Sequence, residues 1–113
     1  MTKSEQAQKL LSRLEGVTKN YQEAQGEMLA ARAVAEQFER EYKEAKVAGL
    51  ALSDGKNAEK REFDANGSIQ VRDAKAAWVD AQTRFNRAYR EYKIAESDLL
   101  YIRDATALLR EMD

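Results

Sequence analysis

The sequence contains no cysteine, no histidine and no proline, and each absence removes a class of protein. Without cysteine there is neither a disulfide framework nor a thiolate ligand, so the redox compartment stays open. Without histidine the commonest metal ligand and general base is gone. A carboxylate metal site of the four-helix kind normally places histidine three residues after a glutamate, which this chain cannot supply. Apolar runs are only a few residues long, far below the roughly 20 that cross a bilayer, and the N-terminus lacks the apolar core of a signal peptide. A soluble, cytoplasmic protein with no membrane role is the expectation.

An excess of one charge is missing too: Lys and Arg number 19 against 20 Asp and Glu, for a formal net charge of −1. Residues 1–56 carry nine basic and nine acidic side chains, and residues 57–113 carry ten and eleven. Proteins that coat a phosphate backbone show a strong basic excess on at least one face, so a nucleic-acid role here must rest on a local patch. Carboxylate pairs such as Glu59 with Glu62, or Asp98 with Asp104, occur freely among so many acids, and nothing converges on them. There is no Gly-rich phosphate loop after a strand. The expectation is a protein that is not an enzyme, with no cofactor, no metal and no small-molecule substrate.

What is abundant is the mixture of long helices: 35% charged and 43% hydrophobic residues in a chain of 113. From Ala7, small or apolar residues recur at alternating steps of three and four: Ala7, Leu10, Leu14, Val17, Tyr21, Ala24, Met28, Ala31, Ala35, Phe38, Tyr42 and Ala45. So sustained a 3.5-residue repeat predicts a coiled-coil helix over about 4–51. Ser4, or Thr2 with Glu5 three positions on, supplies its N-cap.

Ser53-Asp54-Gly55-Lys56-Asn57 reads as a turn, with Gly55 tolerant of positive φ and Asn57 as the next N-cap. A second stripe follows: Val71, Ala74, Trp78, Ala81, Phe85, Ala88, Tyr92, Ala95, Leu99, Ile102, Thr106 and Leu109. Folded antiparallel about the turn, Leu10 faces Leu99, Leu14 faces Ala95, Val17 faces Tyr92, Tyr21 faces Ala88, Met28 faces Ala81, Ala31 faces Trp78 and Tyr42 faces Gly67. Nearly every bulky residue meets a small one, as dense packing favours. Gly67 then makes room for Tyr42, which favours one continuous second helix over 58–112, with Asn66-Gly67-Ser68 as the place where it would be irregular. The predicted fold is all-α, a single domain over 1–113 built as a long antiparallel two-helix hairpin with its turn at 52–57.

One seam is a thin core for such a length. Leu11, Ile94, Leu100, Tyr101, Leu108 and Met112 lie outside it, and helices apolar all round are usually buried. These residues predict self-association into a larger bundle at the open end; the alternative is that they merely wrap the seam.

The strongest local charge signal is Arg84-Phe85-Asn86-Arg87-Ala88-Tyr89-Arg90-Glu91-Tyr92-Lys93. With Arg103 and Arg110 further along, Arg84, Arg87, Tyr89, Arg90 and Lys93 form a basic strip with an exposed aromatic, suited to phosphate contact and base stacking on single-stranded nucleic acid. The competing reading is a solvated face whose cations pair with Glu15, Glu23 and Glu27 of the first helix. A short echo, Arg40-Glu41-Tyr42-Lys43 and Arg90-Glu91-Tyr92-Lys93, fits charged residues flanking a seam aromatic.

The segment Glu41-Tyr42-Lys43-Glu44-Ala45-Lys46, the turn Ser53-Asp54-Gly55-Lys56-Asn57 with Ala58-Glu59-Lys60-Arg61-Glu62, and the Tyr89–Arg110 region together resemble small helical proteins of tailed bacteriophages. Such proteins sit among genes for DNA replication and recombination. The resemblance implies an accessory role in the host cytoplasm beside a recombination protein, either a strand-annealing or a single-strand binding protein, and carries over no catalytic residue. The alternative function is a protein-interaction module, an assembly factor or an inhibitor of a host protein, that binds no nucleic acid.

Overall fold

The computed structural model describes residues 2–112 and is all-α, with no strand among the described residues. Three helices follow one another: α1 (Lys3–Leu52), α2 (Ala58–Gly67) and α3 (Ile69–Glu111). The chain groups into two compact units. One combines the stretch up to Leu29 with the stretch from Arg87 onward, and the other is Ala30–Asn86. All twelve stripe residues expected in the first helix, and all twelve in the second, are buried or half-buried.

In the first unit, α1 begins where the Thr2 hydroxyl accepts the Glu5 backbone N–H at 3.1 Å, so Thr2 rather than Ser4 caps the helix. The Lys3 ammonium donates to the Met112 carbonyl at 3.3 Å, and the Tyr21 and Tyr92 hydroxyls lie 3.2 Å apart. Residue numbers therefore fall on α1 as they rise on α3: the helices are antiparallel. Ala95, Leu99 and Ile102 are buried along α3, and a fully buried leucine or isoleucine is worth about 1.5–3 kcal/mol. Thr106 occupies a stripe position because its hydroxyl donates to the Ile102 carbonyl one turn back, at 2.8 Å.

The facing pairs differ from those expected. Tyr21 meets Tyr92, not Ala88, a displacement of four residues, or one helical turn. In the second unit Tyr42 stacks on Trp78, with ring centroids 5.3 Å apart and planes 18° from parallel, and does not face Gly67. Large-on-small packing lost to aromatic pairing, which combines large buried area with favourable ring geometry and, for tyrosine, a hydroxyl partner.

The second unit also corrects the expectation of one continuous second helix. Ser68 is extended, with φ −71° and ψ 147°, and separates α2 from α3. Its backbone N–H closes α2 on the Ala65 carbonyl at 3.1 Å, and its hydroxyl accepts the Val71 N–H at 3.3 Å, so one residue ends one helix and caps the next. Gly67 is exposed and a methyl group there would touch nothing within 4 Å. The glycine that permits close approach is Gly49, where an added Cβ would lie 3.2 Å from the Ala65 Cβ and 3.4 Å from Val71 Cγ2.

At the turn, Asn57 caps α2 by accepting the Lys60 N–H at 2.8 Å. Ser53 binds both ways: its hydroxyl donates to Asp64 at 2.9 Å and accepts the Gly55 N–H at 3.1 Å. No described residue, glycine or other, has positive φ. Gly55 is required instead by space, since a Cβ would fall 2.9 Å from the Arg61 backbone nitrogen.

Candidate interaction surface

α3 is one unbroken helix through the strip, so residues seven apart share a flank. Tyr89, Arg103 and Arg110 fall on one flank, together with Glu96. Arg87 falls on another, in line with Ile94, Tyr101 and Leu108. Arg90 and Lys93 point outward between them. The strip is thus not one basic face but guanidiniums distributed around the exposed half of the helix.

Arg84 belongs to the second unit and pairs with Asp80 one turn back, at 3.2 Å. Lys93 pairs with Glu96 at 2.9 Å. That contact raises the Lys93 ammonium pKa and holds the Glu96 carboxyl below the usual range. Tyr92 is pushed up to about 12, chiefly by its hydrogen bond to Tyr21 and then by burial. Among the described residues no ion pair joins Glu15, Glu23 or Glu27 to the strip, and Arg87, Arg90, Arg103 and Arg110 have no carboxylate partner. Tyr89 is 46% exposed, its ring 6.4 Å from that of Tyr92.

The residues expected to drive self-association are all exposed: Leu11, Ile94, Leu100, Tyr101, Leu108 and Met112. They do not all line one groove. Leu108 and Met112, with Ala105 and Leu109, meet Gln6, Lys9, Leu10 and Arg13 of α1 along a groove of about 410 Å³. Leu11, Ile94, Leu100 and Tyr101 do not line it. Lys9 and Arg13 were missed in the sequence, although their four-residue spacing beside the seam marks one flank of α1. Among the described residues no group of acidic side chains is arranged to hold a metal ion, and no helix is long and apolar enough to cross a membrane. Comparison with known protein families, with curated proteins and with solved structures finds no match.

Proposed function

We propose that the protein is a non-enzymatic, oligomeric helical accessory factor that binds single-stranded nucleic acid, in the setting of phage DNA replication and recombination implied by its sequence resemblance. The observation that supports it is the set of exposed guanidiniums of Arg87, Arg90, Arg103 and Arg110 along α3, none engaged by a carboxylate among the described residues, on the helix that also exposes Tyr89. Guanidiniums without protein partners are available to phosphates, and a tyrosine face stacks on any base.

The test is titration of a labelled single-stranded oligonucleotide at several salt concentrations. Binding should weaken as salt rises, with a logarithmic slope of roughly −0.7 for each phosphate engaged. Changing Arg87, Arg90 and Arg103 together to Glu should abolish it. Salt-independent binding, or an unchanged triple variant, sinks the reading.

A second reading, a protein-interaction module such as an assembly factor or host-protein inhibitor, is favoured by the 67% exposure of Tyr101 and 60% exposure of Leu108. It requires a stoichiometric complex that survives nuclease treatment and is lost on changing Tyr101 and Leu108 to Ser.

A further inference from the structure

The groove in the first unit has an unbalanced chemistry. Its charged lining residues, Lys9 and Arg13, are both cations, Leu10, Leu108 and Leu109 supply apolar lining, and among the described residues no acid lines it. Lys9 and Arg13 have no ion-pair partner among the described residues. Its natural occupant is a helix with an apolar line flanked by carboxylates.

The chain supplies such a helix. On the exposed side of α3, Glu91, Ile94, Asp98 and Tyr101 follow at steps of three and four, acid alternating with apolar residue. Glu91 and Asp98 are exposed and also lack ion pairs among the described residues. Ile94 and Leu108 are each seven residues from Tyr101. An antiparallel second α3, related by a two-fold axis at Tyr101, therefore sets Ile94 of each copy against Leu108 of the other. The same axis places Asp98 next to the residue opposite Ala105, and Ala105 shares the groove with Lys9 and Arg13.

We infer that two copies of this chain associate isologously and antiparallel through α3, each laying Ile94 on the other's groove with the two Tyr101 side chains meeting at the axis, and with Glu91 and Asp98 against Lys9 and Arg13. The inference rests on the oligomeric part of the function proposed above. It assigns that association a surface and a direction. Two-fold, self-complementary contact is the commonest form of association between identical chains, and like charges brought together across such a contact oppose it.

Sedimentation of the full chain, with circular dichroism as the control for folding, tests it. The wild type should sediment as a dimer in the micromolar range, less tightly at high salt. Glu91→Lys with Asp98→Lys, and separately Lys9→Glu with Arg13→Glu, should each weaken association by about tenfold or more, through repulsion at both symmetric contacts. Mixing the two variants in equal amounts should recover the dimer, because each then offers the other opposite charges at both sites. A wild type that stays monomeric at every concentration overturns both the oligomeric reading and this surface. A wild-type oligomer unaffected by either charge reversal, or not restored on mixing, overturns the surface alone. All four changes sit on exposed or groove-lining positions, and combining them in one chain provides a second route to the restored dimer.

Discussion

The Tyr21 and Tyr92 hydroxyls lie 3.2 Å apart across the first unit, with ring centroids at 5.4 Å. Two tyrosines in one layer oppose the rule of large against small, and the hydroxyl contact is what makes the layer work: each phenol has a partner while its ring is half-buried. The bond favours the neutral phenol at Tyr92, whose pKa stands at about 12 against an ordinary 10.0.

A pH dependence follows from that shift. Below pH 10 both folded and unfolded chains hold the Tyr92 proton, so stability is flat. Between about 10 and 12 the unfolded chain gives it up first, and stability falls as pH rises. Urea unfolding midpoints at pH 9 and pH 11 measure the fall. In Tyr21→Phe the fall should shrink, and phenolate absorbance should show Tyr92 titrating nearer 10; an unchanged titration would refute the contact.

The glycines separate by what surrounds them. Gly16, Gly26 and Gly67 face open space, so alanine at each should raise stability by roughly 0.5–1 kcal/mol through backbone entropy. Gly55→Ala should instead cost about 1–3 kcal/mol, since its Cβ would meet the Arg61 backbone nitrogen at 2.9 Å and a backbone cannot swing aside. Gly49→Ala falls between, as helix propensity is offset by contact with Ala65 at 3.2 Å. Thermal or urea unfolding of the five variants checks the order, and a stabilised Gly55→Ala would contradict the turn.

How much of this could be read beforehand differs between pattern and register. The stripe was legible because burial follows helical periodicity, from Leu10 and Leu14 through to Ile102 and Leu109. The pairing of the stripes was not. Matching large residues to small ones put Tyr21 on Ala88, whereas the structure puts it on Tyr92. Ring and hydroxyl contacts decided it, and they leave no mark in a binary pattern. The break at Ser68 was visible as a candidate in Asn66-Gly67-Ser68. A space-making role for Gly67, which depends on the displaced register, argues instead for a continuous helix. The cations of the strip were legible as residues, but their distribution over several flanks follows only from the helical phase of α3.

Ser68 closes α2 with its backbone N–H and caps α3 with its hydroxyl, which accepts the Val71 N–H. Ser68→Ala should cost about 0.5–2 kcal/mol, as loss of an N-cap does. Ser68→Asn, which can also cap, should cost less. Hydrogen exchange at the Val71 amide gives a local readout: faster exchange in Ser68→Ala alone identifies the cap, and equal protection in all three proteins would contradict it.

Ser53 holds the turn to α2 by donating to Asp64, and this bond, with Lys60, keeps the Asp64 carboxyl below its ordinary 3.8. A carboxylate lowered in the folded state adds stability above the unfolded value, and that stability is lost as pH falls through the folded one. Ser53→Ala should therefore move the Asp64 titration upward, toward 3.8, in carboxyl-detected NMR. It should also flatten the acid side of the stability profile. A titration that does not move would mean that Lys60, 3.2 Å from Asp64, carries the shift alone.

Trp78 presents the opposite case, a buried indole N–H with no partner among the described residues, on a ring stacked against Tyr42. An unsatisfied buried donor costs about 1–3 kcal/mol. Trp78→Phe removes that donor and keeps a ring against Tyr42, while giving up part of the buried area. The two effects are of similar size, so Trp78→Phe should leave stability within about 1 kcal/mol of wild type. Trp78→Ala loses the stack and the area together and should cost about 3–5 kcal/mol. If Trp78→Phe costs as much as Trp78→Ala in urea unfolding, the indole nitrogen has a partner in solution, and the unsatisfied donor is refuted.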